Sequence, residues 1–369
     1  MHRYPFFLLL FMFSLSMSAQ TDTTTYEEDE FDFSDFEPAA PPSKSFCNNK
    51  VLGQTPTTLI GVSYTFQGPQ DFTAGNPSDN TLGTDLSESN NIQNTQEFGL
   101  AGNFPIISRN NILVNLNVAY TEQHYRFTNE TSNHPFTQGL QDNPLRSAST
   151  LATIFKPLND KRFLLGQVGL AFNGDFNYSD FNQDANTLRF SAALLYGFKP
   201  NDRLMYAFGL ARTYLGGSLN YVPIVYYYHT FRNEKWGAEL LLPSRGFLRY
   251  RFNSTSLAGI GFNVLGNTYR LNNFANLPGA MVPGNPNAFA QAQEVELRRS
   301  EIRLGARYMR SIKGFVWLFA EAGYRVNYSF DIDRGGDFLR LFGNDDPYYI
   351  ENELGNPLYF TIGISYVSP

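Results

Sequence analysis

Residues 294–328 read EVELRRSEIRLGARYMRSIKGFVWLFAEAGYRVNY, and the way this stretch alternates decides the fold. Ile302, Leu304, Ala306 and Tyr308 alternate with Glu301, Arg303, Gly305 and Arg307, a period of two with one apolar and one charged face. After the turn Arg310-Ser311-Ile312-Lys313-Gly314 the pattern resumes. Val316, Leu318, Ala320, Ala322, Tyr324 and Val326 share one face, and Glu321, Arg325 and Asn327 share the other. Each strand is about half as long again as the ~10-residue segment that crosses an outer membrane, and far longer than the usual five or six residues. A soluble sheet could bury the apolar face but would have no need of charges of both signs along the whole of the other. A barrel wall, with lipid outside and a wet lumen inside, needs both.

Composition agrees. Of 369 residues, 17% are charged and 16% aromatic, against a usual charged share of about 25%, which suits a surface in contact with lipid. Mean hydropathy is only −0.30, because alternation hides membrane strands from an average. Beyond the first twenty residues no run approaches the ~18 apolar residues of a spanning helix, so any crossing falls to strands. Residues 1–19 have the form of a secretory signal: His2 and Arg3, an apolar run from Phe6 to Leu15, then Ser16, Ser18 and Ala19. Cleavage after Ser18 or Ala19 would suit, and the lack of a cysteine just beyond argues against a lipid anchor. Cys47 is the only cysteine, so no internal disulfide forms and a free thiol in a linker is expected.

The net charge of −6 is unevenly placed. Residues 21–50 carry eight acids against Lys44 and Lys50, which leaves residues 51–369 close to neutral. No basic stripe suggests nucleic acid. The expected organisation is a signal over 1–19, a disordered acidic periplasmic tail over 20–50 and an outer-membrane β-barrel over 51–369. Within the tail, Phe31, Phe33 and Phe36 are interleaved with Asp32, Asp35 and Glu37. That pattern reads as a solvated linker, as a docking motif for a periplasmic protein, or as a segment that enters a positive lumen.

Strand signals follow one another along the rest of the chain. They cover 57–67, 93–104, 111–127, 146–156, 161–177, 187–198, 203–214, 220–232, 235–243, 247–253, 256–271, the opening pair, and 358–367. Together these make an all-β, up-and-down antiparallel transmembrane barrel of about fourteen strands (twelve to sixteen). Segment 220–232, apolar on both faces and marked by Pro223, is expected to pack against something inside. The faces of 146–156 are not assigned by pattern. Short connections alternate with long polar ones such as 68–90, 128–145 and 272–292, as they do where short periplasmic turns face long external loops. The closing strand alternates Leu358, Phe360, Ile362, Ile364 and Tyr366, close to the C-terminal pattern that outer-membrane assembly machinery reads, although it ends in Ser368-Pro369.

Four runs carry a resemblance. Tyr214-Leu215-Gly216-Gly217, Val222-Pro223-Ile224, Trp236-Gly237-Ala238-Glu239 followed by Leu242-Pro243, and Trp317 to Arg325 resemble an uncharacterised family of outer-membrane β-barrel proteins, over roughly residues 150–369. The resemblance implies the barrel and the outer membrane. It implies no activity and no catalytic residue.

The residues that could carry function are the inward charges Glu239, Arg249, Arg251, Arg299, Glu301, Arg303, Arg307, Glu321 and Arg325. They read either as a structural network filling a narrow lumen or as an arginine-biased path that favours anions. His124, near Glu122 and Ser132, stands where a lipid-modifying Ser–His pair would sit at a membrane rim, with no diagnostic spacing. Asp331, Asp333, Asp337, Asp345 and Asp346 cluster near Gly335 and Gly336 but miss the spacing of a calcium loop. No cofactor, metal or catalytic site is expected. The favoured function is passage of small solutes; a structural or docking barrel is the rival, and a lipid-modifying enzyme a remote third.

Overall fold

The computed structural model describes residues 46–78, 85–132, 134–176, 188–215, 217–272, 295–334 and 348–368. The strands are β1 (Thr57–Gln67), β2 (Gln70–Ala74), β3 (Glu88–Arg109), β4 (Ile112–Phe127), β5 (Leu145–Pro157), β6 (Arg162–Gly174), β7 (Leu188–Asn201), β8 (Leu204–Thr213), β9 (Asn220–Thr230), β10 (Trp236–Leu242), β11 (Arg245–Asn253), β12 (Ser256–Leu271), β13 (Val295–Lys313), β14 (Val316–Arg334), β15 (Glu353–Leu354) and β16 (Leu358–Ser368). One helix, α1 (Pro135–Asp142), lies between β4 and β5. β1 and β2 both pair with β3 and form one wall strand, interrupted at Gly68-Pro69, where proline offers no N–H to a ladder. β15 and β16 likewise make one strand. Tyr64 stands opposite Phe98 on one side and Ile362 on the other, so β1 closes an antiparallel ring of 14 strands.

Alternation sorts the wall as the opening stretch requires. Ile60, Leu194, Phe208, Leu210, Ile260, Leu304, Leu318 and Ile364 are all exposed on the outer face, which is where a lipid belt replaces water. Toward the short turns, the end expected to be periplasmic, the outer face becomes aromatic: Trp236 stacks edge-on to Tyr250, Tyr250 to Phe252, and Phe315 to Tyr366. Amphipathic rings settle at that depth because one edge prefers headgroups and the other prefers hydrocarbon.

The interior changes character along the barrel axis. At the opposite, long-loop end, called external on that expectation, β6 meets β12 directly: Gly174 pairs with Arg270 in parallel, and the Asp175 amide donates to the Arg270 carbonyl at 3.2 Å. The chain thereby closes a smaller ring of nine strands, β12, β13, β14, β15, β2, β3, β4, β5 and β6, and leaves β7 to β11 outside it. That ring encloses an apolar cluster of Phe72, Ile92, Tyr125, Phe127, Phe136, Leu140, Leu145, Tyr269, Leu297, Phe330, Ile332 and Ile350, to which no residue of β7–β11 contributes. Phe72 stands 5.4 Å from Phe127 and 6.2 Å from Phe330, ring centre to ring centre, in edge-to-face contacts that add to their burial.

Several features differ from the sequence reading. The stretch 68–90 holds β2 and the start of β3, and 128–145 holds α1, whose Phe136 and Leu140 enter the apolar plug. The helix starts at His134, whose Nδ1 accepts from the Phe136 amide at 3.2 Å while Nε2 faces the Gly75 carbonyl at 3.1 Å. Burial holds this imidazole below its usual pKa, so the neutral cap is the form present at pH 7. On β5, Ser147, Ser149, Thr153 and Phe155 face inward and Ile154 faces lipid, which assigns the faces left open. The alternation of short and long connections fails once, because β10 and β11 are joined at their external ends by Pro243-Ser244 alone.

Candidate functional site

Below the plug the ring is wide and lined by charge. Arg299, Glu301, Arg303 and, past Gly305, Arg307 occupy the inward positions of β13, and Glu321 and Arg325 flank Gly323 on β14, so the alternation that builds the wall also delivers the charges. Glu301, 1% exposed, is the hub. Its carboxylate meets Arg299 at 2.6 Å and Arg303 at 2.7 Å, with Arg325 Nε 3.4 Å away and off the hydrogen-bond axis. Arg303 reaches across the barrel to Glu97 of β3 at 2.6 Å, Arg299 donates to Gln123 of β4, and Arg325 donates to Gln67 and Gln70. Arg303 and Arg325 stand directly opposite each other in the ladder, and Glu301 offsets the repulsion of that pair. Lower down, Arg307 pairs with Glu321 at 2.5 Å and Tyr359 donates to the same carboxylate at 2.6 Å.

A second group sits on β10 and β11. Glu239 accepts from Arg249 at 2.8 Å, and Arg249 also donates to Thr230 at 2.6 Å. Arg245, exposed within the lumen, donates to Tyr228 at 3.4 Å. Arg245, Arg249, Arg251, Arg299, Arg303, Arg307 and Arg325 face Glu97, Glu239, Glu301 and Glu321, so this interior carries more positive than negative charge. Buried charges of this kind persist only when paired and hydrogen-bonded, because each costs several kcal/mol to desolvate.

Two cavities lie among these side chains. One of about 370 Å³ is lined by Glu97, Gln123, Asn267, Arg299 and Arg303. The other, of about 420 Å³, is lined by Asn103, Asn117, Tyr228, Glu239 and Arg245. Asn263, Arg307 and Glu321 border both, which makes them two compartments of one polar chamber.

The floor of the chamber is the segment 46–56. The Cys47 amide donates to Asn159 O at 3.1 Å, the Leu52 amide to Asp202 O at 2.8 Å, and Arg251 to the carbonyls of Gly53 and Gln54 at 3.1 and 3.0 Å. The Thr55 amide and hydroxyl both donate to Glu239, at 2.8 and 3.0 Å. Lys199 holds the Lys50 carbonyl at 2.8 Å. Cys47 and Val51 pack with Phe155, Phe163, Leu195, Met205 and Tyr228, which is what the doubly apolar β9 packs against. Cys47 is a free thiol, as expected, but lies buried in the strap and not in a loose linker, and burial raises its pKa. Residues 46–50, grouped by sequence with the tail, form part of this strap; Phe31, Phe33 and Phe36 lie outside the described residues.

Of the nine charges singled out by sequence, Arg299, Glu301, Arg303 and Arg325 share one network, Arg307 pairs with Glu321, Arg249 pairs with Glu239, and Arg251 holds the strap. Missed were Glu97, Gln123 and Arg245, although parity with Gly99, Thr121 and Arg249 places each on the inner face. The strap was missed for want of any periodicity. His124 binds Glu122 at 2.8 Å, and Glu122 also takes Tyr120 and Arg146, while Ser132 bonds to the His134 amide at 3.1 Å, so no Ser132–His124 pair forms. Asp331 and Asp333 are bound by Ser329 and Arg298; Asp337, Asp345 and Asp346 lie outside the described residues.

No family model and no curated protein matches the chain. Similar solved structures include an outer-membrane channel from Pseudomonas putida F1 (12% identity, TM-score 0.37, 90% of this chain and 100% of that one). The KdgM porin in complex with disordered oligogalacturonate matches at 7% identity and TM-score 0.29, over 84% and 99% of the two chains. The outer-membrane protease OmpT of Escherichia coli matches at 9% and 0.28, over 85% and 98%. The fold itself rests on the closed pairing and the lipid-facing belt: the chain is an outer-membrane β-barrel.

Proposed function

We propose that the barrel is a facilitator for small polar solutes, biased toward anions, with the chamber as its holding site. The observation that supports this reading is the pair of joined cavities bordered by Arg245 and Arg307, in an interior whose arginines outnumber its carboxylates. Fixed charge on a pore wall selects ions of the opposite sign. The segment 46–56 lies in the periplasmic path, and the side chains that hold it, Glu239, Arg251 and Lys199, also belong to the wall. Planar-bilayer recording of the full chain beside Glu239→Gln/Arg251→Gln is the test. The double variant releases Gly53–Thr55, and an anion-selective conductance larger than that of the parent is expected. Absence of conductance from both proteins counts against passage.

One observation favours a second reading. The external end is filled by an apolar plug, as suits a barrel that serves as an anchor and presents its acidic tail, with Phe31, Phe33 and Phe36, to a periplasmic protein. A pull-down in which removal of residues 21–44 changes no partner eliminates it. Membership of the uncharacterised barrel family that the wall motifs resemble, and recognition of the last strand by assembly machinery, belong with these proposals.

A further inference from the structure

The wall is not of one height. β10 and β11 have 7 and 9 residues, at or below the ~9–11 needed to cross a membrane on a tilt. Their pairing with neighbours stops at Leu242 opposite Val225 on β9, and at Arg245 opposite Asn263 on β12. Above that level β9 continues through Ile224 to Asn220 and β12 continues to Leu271, with no β10 or β11 between them. The Ser244 carbonyl takes the Val264 amide at 2.7 Å and ends the ladder. Since β6 joins β12 directly at the external end, the upper halves of β7, β8 and β9 stand outside the nine-stranded ring and enclose a pouch against it. Its roof is fixed: Thr268 donates to Gly217 O at 2.8 Å, Arg298 donates to Ser218 at 2.7 Å, and Arg189 pairs with Glu296.

The pouch contains a cavity of about 210 Å³. Ala193, Ala211, Val222, Ile224 and Leu241 line it from the inner face of the wall. Leu242, Pro243 and Ser244, at the tip of the β10–β11 hairpin, line it too, so the cavity extends to the place where the wall is cut short. Phe190, Leu194 and Leu210, all exposed to lipid, place that mouth within the apolar belt and not above it. Arg212, on the outer face of β8, lies over the Phe190 ring at 5.4 Å and donates to the Phe190 carbonyl. Ala193 and Ala211 stand opposite each other across β7 and β8, and their small side chains leave the space empty.

We infer that this pouch is a binding site, reached sideways from the membrane, for a small apolar molecule bearing at most one polar group. An apolar cavity of about 150 Å³ already accepts benzene, so this volume suits one or two fused rings or a short alkyl chain. Gln167, Ser191 and Thr213 supply the few polar atoms that orient such a ligand. The site is separate from the charged chamber, whose lining shares no residue with it.

The test titrates full-length protein in nanodiscs with 1-aminonaphthalene, whose emission shifts in apolar surroundings, and folding is checked by heat-dependent gel mobility. Saturable binding displaced by decanol and not by glucose is expected. Ala211→Phe and the milder Ala193→Leu should weaken it at least tenfold, and Ala320→Leu on the far lipid face should leave it unchanged. Leu242→Arg, which puts a charge at the mouth, should slow association several-fold. Non-saturating uptake, or equal affinity in folded Ala193→Leu and parent, overturns the site; an unchanged association rate in Leu242→Arg overturns sideways access. Bilayer conductance reads the chamber without this probe, so the two proposals fail separately.

Discussion

Two cross-sections of one barrel are filled in opposite ways. In the external ring of nine strands the inner face is apolar and packed by Phe72, Phe136 and Phe330; in the ring of 14 strands beneath, the inner face carries Arg and Glu around open space. The same strands β12, β13 and β14 contribute to both. On β13 the inward series runs Val295, Leu297, Arg299, Glu301, Arg303, Gly305 and Arg307, and the change from apolar to charged falls between Leu297 and Arg299. A narrow ring can fill itself with side chains; a wide one cannot, and its residual space takes polar groups and water. The plug therefore depends on volume, and the chamber depends on charge balance.

That contrast can be broken from either side. Glu301→Ala removes the hub and leaves Arg299, Arg303 and Arg325 together in a buried site; a loss of about 3–5 kcal/mol is expected in urea unfolding from lipid. Phe330→Ala should cost a similar 3–5 kcal/mol by cavity formation. Phe330→Leu should be tolerated better, whereas Glu301→Gln keeps volume and should still destabilise. If Glu301→Gln is as mild as Phe330→Leu, charge does not govern the lower ring.

Acid should act on the plug next. His134 has its pKa lowered in the folded protein, so the unfolded cap binds protons more readily as pH falls through about 6.5. Stability of α1 is present above that range and declines below it. Among the described residues Glu88, which accepts from the His134 amide at 3.0 Å, is the charged group facing it. Hydrogen exchange at the Phe136 amide should quicken between pH 7.5 and 5, and His134→Asn, which caps without titrating, should flatten the dependence. Smallest is Gly53→Ala: with φ at +65° a Cβ is strained by about 1 kcal/mol, enough to raise several-fold the rate at which maleimide reaches Cys47.

The sequence carried most of the wall, because lipid and lumen impose a period of two that survives in the long strands other than β5 and β9. β1 and β12 match their expected limits, and Glu301 and Arg325 fall on the inner face by parity alone. It did not carry what depends on non-local contact. The nine-strand closure needs Gly174 to meet Arg270, and nothing near either residue signals it. The strap has no periodicity and is ordered by bonds to Asn159, Asp202, Glu239 and Arg251, all distant in the chain. α1 was hidden by its brevity and by the polar residues around Phe136. The β10–β11 hairpin looked like any other pair, and only its register shows how low it stops.

The division between a dry ring and a wet one is tested most directly by thiol access. In a Cys47→Ser background, single cysteines at Asn117, Asn263 and Leu297 would be exposed to the small sulfonate reagent methanethiosulfonate ethylsulfonate in reconstituted membranes. Asn117→Cys and Asn263→Cys should react, and faster still when Glu239→Gln/Arg251→Gln loosens the strap, while Leu297→Cys stays protected. Protection of Asn117→Cys and Asn263→Cys together with rapid modification of Leu297→Cys would contradict the account.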